Sequence, residues 1–193
     1  IALVAFAPLG HAQQGGQPND LEVLPIRGNL YMIVGAGGNV AASIGPDGVL
    51  MVDTGTLQNS DRLIAAIRQV QRQVATNGLQ EWNFASQTRS NIPRMISPPA
   101  PPKPIRYIIN TDIDPDHTGG NEKLSQSGAT ITGGNVAGSI ADAAQGSAII
   151  AHENVLLRMS NPSGKQPKVP FRAMPTDTYH MGSMKLSHFF NGE

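Results

Sequence analysis

The sequence predicts an α/β fold in which strands come first and then alternate with helices. Residues 21–52 hold four short apolar runs separated by Gly, Pro, Asn and Asp, which is typical of a strand meander. The stretch 60–74 places its apolar residues at helical spacing. From 105 onwards, short apolar runs alternate with helical patterns, as in chains that build a sheet with helices on its faces.

Length and composition are those of one globular domain. The chain has 193 residues, of which 39% are hydrophobic and 15% charged, so it can bury a sizeable core. Its 14 basic residues balance 14 acidic ones, and no cluster of Lys and Arg interleaves with aromatic residues. Nucleic acid is therefore not an expected partner. The absence of cysteine fits either an oxidising compartment or the cytosol.

Residues 1–12 are typical of the end of a signal peptide. An apolar run passes through Gly10 and Ala12 into a polar Gln/Gly stretch, and the run is too short to span a bilayer. Small residues at 10 and 12 suit cleavage before Gln13. A buried amino-terminal strand is the alternative. The sequence thus predicts a leader remnant and a periplasmic or secreted protein.

The other end of the chain predicts an interrupted hairpin. Residues 184–190 are strand-like, and Asn191-Gly192 is a strong two-residue turn signal with only Glu193 after it. Residues 13–193 are therefore interpreted as part of a larger domain. Within it, 78–104 is predicted to be a Pro-rich irregular insertion, which either borders the functional site or extends into solvent.

Two motifs in the first half are excluded by their context. The run 35–39 resembles a phosphate-binding glycine loop, but its third glycine is missing and no helix follows, which favours a bend between strands. Asp53-Thr54-Gly55 is also found in aspartic proteases, which need a second copy so that two carboxylates share a proton. The chain has no second copy. A helix with Ser60 as its N-cap is predicted instead.

The stretch 110–121 carries the chemistry; it reads Asn-Thr-Asp-Ile-Asp-Pro-Asp-His-Thr-Gly-Gly-Asn. In an extended segment, Asp112, Asp114 and Asp116 would point to one side and His117 across. Converging carboxylates repel one another unless a cation lies between them. The stretch therefore predicts a loop that binds a divalent metal, since carboxylate oxygen and imidazole nitrogen are ordinary ligands. The alternative is a solvated acidic turn.

A calcium-binding EF-hand also opens with Asp-x-Asp-x-Asp, but the rest of that motif is absent. Its sixth position needs Gly, where His117 stands, and its twelfth needs Glu, where Lys123 stands. An EF-hand is therefore excluded.

The same stretch resembles the signature of the metallo-β-lactamase superfamily, Thr-His-x-His-x-Asp-His followed by Gly-Gly. The first two histidines of that signature are replaced by Asp112 and Asp114. The resemblance runs from about 21 to 193 and implies a four-layer αββα sandwich, of which this chain supplies the amino-terminal half. The matching positions are Thr111, Asp116, His117, Gly119, Gly120 and Asn121.

The resemblance implies a role for each of these side chains. Asp116 and His117 would bind the second metal, and Asp116 would orient the attacking water. Asp112 and Asp114 stand where the family has the two histidines that bind the first metal, so the resemblance places them there by position only. Their oxygens favour a harder ion such as manganese, iron, magnesium or calcium over the family's zinc. Asp53 would support the loop from beneath.

Two functional hypotheses follow from the resemblance. The first is a metal-dependent hydrolase, in which a metal-bound hydroxide attacks an ester, thioester, lactone or lactam carbonyl of a small-molecule substrate. The second is a catalytically degenerate binding protein of the same fold, because both first-site histidines are absent. His152 is interpreted either as a third imidazole ligand or as the start of a helix. The sequence leaves the substrate and the oligomeric state open.

Overall fold

The structure is a computed structural model that describes residues 21–85, 102–129, 146–161, 169–186 and 191, with side chains described only to 75 in the first range. The predicted leader remnant, 1–12, lies outside the described residues. So does most of the Pro-rich segment.

Seven strands form one mixed sheet in chain order within the described part of the chain. The first four strands form an antiparallel meander, and the fourth to seventh run parallel to one another. This arrangement confirms the predicted α/β class. The strands are β1 (Glu22–Arg27), β2 (Leu30–Val34), β3 (Val40–Gly45), β4 (Gly48–Val52), β5 (Ile105–Asn110), β6 (Ala148–His152) and β7 (Asp177–Tyr179).

Four α-helices connect or follow these strands in the described residues: α1 (Ser60–Ala85), α2 (Pro115–Thr118), α3 (Asn121–Gln126) and α4 (Glu153–Ser160). Single turns of 3₁₀-helix precede α1 at Leu57–Asn59 and β7 at Phe171–Ala173. No helix that the structure describes combines the length and the apolar character that crossing a bilayer would require.

The core lies between the sheet and α1. Met51, Ile108 and Ile149, on adjacent strands, have no exposed surface and belong to the same buried cluster as Leu63 and Ile67 of α1. Along β3, buried and half-buried residues alternate, because successive side chains of a strand point to opposite faces. Each fully buried aliphatic side chain stabilises the fold by roughly 1.5–3 kcal/mol. This packing fixes where β4 and β5 end, and therefore where the candidate site lies.

Two predicted boundaries are wrong. Helix α1 continues to Ala85, although the irregular segment was expected from Gly78. A glycine inside a helix costs only about 1 kcal/mol, and the Leu-Gln-Glu that follows favours helix. Residues 184–186 were expected to begin a strand but lie outside the sheet, and 187–190 are not described. The short strand β7 was not predicted, because three mostly polar residues carry no strand pattern.

Asn191 anchors the carboxyl-terminal end of the chain to the β3–β4 turn. Its side chain is buried, and its amide Nδ2 donates to the carbonyl oxygens of Ser43 and Gly48, each at 3.0 Å. Its Oδ1 accepts from the backbone N–H of Asp47 at 3.2 Å. A side chain 143 or more positions away thus satisfies backbone groups of this hairpin.

Candidate metal centre

Two adjacent parallel strands bring the site together. Because β4 pairs with β5 in parallel, their carboxyl ends meet at the same edge of the sheet. Asp53 follows β4, and Thr111 follows β5. Open α/β sheets bind ligands at this edge, where loops leave the strands. The predicted metal loop therefore lies where the fold most readily presents polar side chains.

Asp53 is the buried anchor of this edge. Its Oδ1 accepts from the backbone N–H of Thr111 at 2.8 Å, and its Oδ2 accepts from the Thr111 hydroxyl at 2.6 Å and from Nδ1 of His117 at 2.8 Å. Asp53 is 5% exposed and has a φ of 62°, a left-handed value that no other non-glycine residue in the described part of the chain adopts. Aspartate tolerates this region better than most residues, and backbone strain of this kind collects at functional sites.

His117 is held with one nitrogen turned towards Asp53 and the other towards Asp116. A carboxylate only accepts hydrogen bonds, so Nδ1 of His117 carries the proton that it shares with Asp53. Its Nε2 lies 3.7 Å from Oδ2 of Asp116. The hydrogen bond to Asp53 raises the pKa of His117, and the negative charges of Asp53, Asp116 and Asp112 raise it further against the opposing effect of burial.

The two donor atoms Nε2 of His117 and Oδ2 of Asp116 fit one divalent metal. Two ligands that each lie about 2.1 Å from an ion, at a tetrahedral angle, are about 3.4 Å apart. The observed 3.7 Å is close to that separation. Histidines that bind metals usually donate their other N–H to a carboxylate, which fixes the tautomer and the ring orientation. Asp53 supplies that carboxylate here.

Asp112 and Asp114 do not join this pair in the structure. The side chain of Asp112 accepts from the backbone N–H of Ile113 at 2.6 Å and lies 3.8 Å from the guanidinium of Arg158 on α4. Asp114 precedes α2, and its carbonyl oxygen accepts from the N–H groups of His117 and Thr118. Among the described residues, no group of three His, Cys, Asp or Glu side chains is placed to hold a metal.

The expected convergence of three carboxylates is therefore wrong for this conformation. It assumed an extended loop, whereas the chain turns into helix α2 at Pro115. Proline is well suited to the first position of a helix, and the alternation of a strand is lost from there on. Asp116 and His117 consequently lie on one helical turn. The roles of all four residues as metal ligands stay predictions.

A buried polar network fixes the far side of the loop. Asn121 is completely buried, and its side-chain amide pairs reciprocally with that of Asn110, at 2.8 and 3.0 Å. Asn121 also accepts from the hydroxyl of Thr54 at 3.0 Å and donates to the carbonyl oxygen of Ala173 at 2.9 Å. Asn121 was predicted only as a match to the family signature, and no role was predicted for Asn110. The sequence signal that could have indicated a role for Asn110 is its position as an amide directly after the apolar run of β5.

Glycines allow the backbone segments at this site to approach closely. A Cβ on Gly38 would lie 2.5 Å from the carbonyl oxygen of Asp116, and one on Gly120 would lie 2.6 Å from that of Thr54. The glycine run 35–39 was interpreted as a bend between strands, and it is one. The close approach of Gly38 to Asp116 shows in addition that this bend packs against the metal loop. No local sequence pattern indicated that contact.

His152 starts helix α4, as one of the two interpretations predicted. Its Nδ1 accepts from the backbone N–H of Asn154 at 3.1 Å, and its Nε2 lies 3.2 Å from the carbonyl oxygen of His180. Its ring packs edge-to-face on Tyr179 with centroids 5.4 Å apart. Both ring nitrogens are therefore engaged in the structure, and the ligand interpretation of His152 is not supported.

The fold and the site define a mixed-sheet α/β protein with a histidine and a carboxylate at the carboxyl ends of parallel strands. The model of the metallo-beta-lactamase superfamily matches residues 34–141, which is more than half of the chain. The chain therefore belongs to the metallo-beta-lactamase superfamily.

Comparison with solved structures found metallo-beta-lactamases of low sequence identity. MEM-A1, a subclass B3 metallo-beta-lactamase from a soil metagenome library, is 16% identical with a TM-score of 0.51, covering 89% of this chain and 52% of its own. The Rm3 metallo-beta-lactamase is 17% identical with a TM-score of 0.49, and the match covers 89% of this chain and 50% of that protein. A metallo-beta-lactamase from Pontibacter korlensis is 15% identical with a TM-score of 0.45, and the match covers 85% of this chain and 54% of that protein.

This chain thus spans about half the length of these solved proteins. The similarity to MEM-A1 shows the fold alone. No curated protein matches the sequence.

Proposed function

We propose that the whole protein is a metal-dependent hydrolase that cleaves an ester, thioester, lactone or lactam carbonyl in a small-molecule substrate. The observation that carries the proposal is the arrangement of Asp53, His117 and Asp116. A buried carboxylate fixes an imidazole whose second nitrogen lies 3.7 Å from another carboxylate oxygen. Membership of the superfamily supports the same chemistry.

Each of the three side chains has a distinct task in this proposal. His117 would hold the metal through Nε2, while Asp53 keeps its ring in place through Nδ1. Asp116 would hold the metal through one oxygen, and its carboxylate would orient the attacking water. When bound, the metal would lower the pKa of that water and polarise the substrate carbonyl.

Zinc is the metal that superfamily membership favours. The oxygen atoms of Asp112 and Asp114 would admit manganese, iron, magnesium or calcium at a first site. Because the chain spans about half the length of MEM-A1, the metal count and the substrate are questions for the full-length protein.

A second function is favoured by two observations. Asp112 is engaged by the backbone of Ile113 and lies near Arg158, and the described residues contain no cluster of three metal ligands. These features suit a catalytically degenerate protein that keeps the fold and binds a ligand or partner. Metal content and turnover, measured together, distinguish the two functions.

Export is also part of the proposal, and it is supported by the leader-like composition of residues 1–12. In an oxidising compartment the absence of cysteine has no cost. Mass spectrometry of the exported full-length protein should find a chain that starts near Gln13. Retention of residues 1–12 in that protein would contradict export by this route.

The test of the enzymatic function is Asp116→Ala in full-length protein. We expect the parent to bind a divalent metal and to hydrolyse at least one of an aryl ester, a thioester, a lactone and a β-lactam. The variant should lose at least about 100-fold in rate, because it lacks both a ligand and the group that orients water. Asp61→Ala is the matched control, since Asp61 is a largely exposed carboxylate of α1.

Three outcomes decide between the functions. Metal binding with turnover that Asp116→Ala abolishes supports the hydrolase. Absence of turnover of any class, whether or not a metal is bound, supports the degenerate binding protein. Wild-type metal content and rate in Asp116→Ala would show that the loop is an acidic turn, and the proposed metal centre at Asp116 and His117 would be rejected.

A further inference from the structure

A second concave site lies at the end of β5 opposite the metal loop. It is a groove of about 330 Å³ between helix α1 and the segment that leads into β5. Its apolar lining consists of Ile64 and Pro104, which are half-buried, and of Ile67 and Ile105, which are buried beneath them in the core. The volume lies at the lower end of the range for small-molecule sites, roughly 300–1,000 Å³. The groove is large enough for a small ligand.

The rim of this groove is cationic. Arg68 and Arg72 lie one turn apart on α1, and Lys103 faces them from the segment before β5. Among the residues that the structure describes, no aspartate or glutamate lines the groove. In the described part of the chain, the charged groups of Arg68 and Lys103 have no ion pair or hydrogen bond. Arg68 and Lys103 therefore present two cationic groups at the rim that an anion can contact.

A hydrogen bond from a side chain to the backbone connects the two sides of the groove. The side-chain amide of Gln71, which lies between the two arginines on α1, donates to the carbonyl oxygen of Lys103. This hydrogen bond ties the helix to the segment before β5. The cations on both sides are therefore carried by elements that are already fixed to each other, which lowers the entropic cost of binding a ligand between them.

The groove is separate from the candidate metal centre. Ile105 begins β5, and Asn110 ends it next to the metal loop. Six residues at about 3.3 Å each place the two sites roughly 17–20 Å apart along the strand. Binding at the groove can therefore be measured without reference to metal or hydrolysis.

We propose that this groove binds an amphiphilic anion with one anionic head group and a short aliphatic tail. Arg68 and Lys103 contact the head group, because guanidinium and ammonium groups donate to carboxylate or phosphate oxygens. Ile64 and Pro104, which are half-buried, contact the tail, whose removal from water is favourable. A neutral or cationic molecule of the same length gains only the burial of its tail and makes no favourable contact with Arg68 and Lys103.

The test is calorimetric titration of the whole chain with four probes of equal tail length: octanoate, octyl phosphate, octanol and octylammonium. We expect one-to-one binding of octanoate or octyl phosphate, and at least tenfold weaker binding of octanol and octylammonium. The difference between the two anions identifies the preferred head group. The affinity should fall with added salt and should not change when EDTA is present.

The variant Arg68→Gln with Lys103→Gln should weaken anion binding at least tenfold and leave octanol binding unchanged. Glutamine keeps the helix propensity of position 68, so folding is preserved and is verified by circular dichroism. Arg27→Gln with Arg172→Gln is the matched control, because it removes the same charge from two exposed positions outside the groove. Equal binding of anion and alcohol, or an equal loss in the control, would overturn the proposal.

Discussion

Nδ1 of His117 donates a 2.8 Å hydrogen bond to the carboxylate of Asp53, a residue 64 positions earlier in the chain. Asp53 follows β4, and His117 lies on the short helix that follows β5, so the bond exists only because these strands are parallel neighbours. The same carboxylate also accepts two bonds from Thr111. One buried side chain thus sets both the start of the metal loop and the orientation of its histidine.

Replacing Asp53 tests this relationship. Asp53→Asn keeps the size of the side chain but removes the negative charge that His117 Nδ1 faces. We expect metal affinity to fall about 10- to 100-fold, which is typical when the partner of a metal-bound histidine is removed. Metal titration by calorimetry measures the effect, and Asp61→Asn, on the surface of α1, should bind as the parent does. Unchanged affinity in Asp53→Asn would show that His117 needs no such support.

Restoring the family's histidines tests the first metal position. Asp112→His with Asp114→His should raise the preference for zinc over magnesium or calcium, because imidazole nitrogen suits zinc and fewer carboxylates remain for hard ions. Metal analysis after equilibration with a mixture of ions measures the preference. Asp61→His with Asp177→His adds two histidines elsewhere and should not change it. If the loop variant takes up no more zinc than its parent, positions 112 and 114 are not ligand positions.

The raised pKa of His117 predicts a pH dependence for the metal-free protein. The folded-state pKa lies above the ordinary value of 6.5, so folding favours the protonated imidazole. The stabilisation is fully present below about 6.5 and is lost as the pH rises through the folded pKa. Because His117 is one-third exposed, we expect a small effect.

The measurement is urea unfolding in EDTA at a series of pH values. The parent should lose stability through this range, whereas His117→Gln should lose less. Metal affinity should change in the opposite direction, rising with pH, because the metal competes with the proton on His117. A parent and His117→Gln with parallel pH profiles would contradict the assignment.

The buried amide of Asn121 should be a large contributor to stability. Asn121→Ala removes partners from Asn110, from the Thr54 hydroxyl and from the carbonyl oxygen of Ala173. Leaving such buried groups unpaired costs about 1–3 kcal/mol for each, and non-additivity places the total at about 2–5 kcal/mol. Urea unfolding measures the loss, and the exposed Asn161→Ala should stay within about 0.5 kcal/mol of the parent.

Asn191 should stabilise the β3–β4 hairpin. Asn191→Ala leaves the carbonyl oxygens of Ser43 and Gly48 without this donor, and we expect a loss of about 1–3 kcal/mol. Gly45→Ala should also destabilise, because its Cβ would lie 2.5 Å from the Asn191 carbonyl oxygen. At Gly28 a Cβ would meet nothing within 4 Å, so Gly28→Ala reports backbone strain alone. Equal losses of stability in Gly45→Ala and Gly28→Ala would show that Asn191 does not pack closely against the hairpin.

The sequence by itself determined the class of fold and most of its elements. The four-strand meander, helix α1 and the alternation of short strands and helices after residue 105 were predicted because apolar periodicity and turn residues are local signals that survive without tertiary context. The start of α4 at His152 was also within reach of sequence, since an N-cap acts on its own helix. The composition of the 110–121 stretch likewise located the candidate site.

Only the tertiary structure decided how that site is arranged. The bond between Asp53 and His117, the contact between Gly38 and Asp116, and the position of Asp112 beside Arg158 all join segments distant in sequence. No local pattern encodes such distances, because they depend on which strands become neighbours. The helical turn at Pro115 also redirected the carboxylates that an extended loop would have gathered, and so placed Asp116 beside His117.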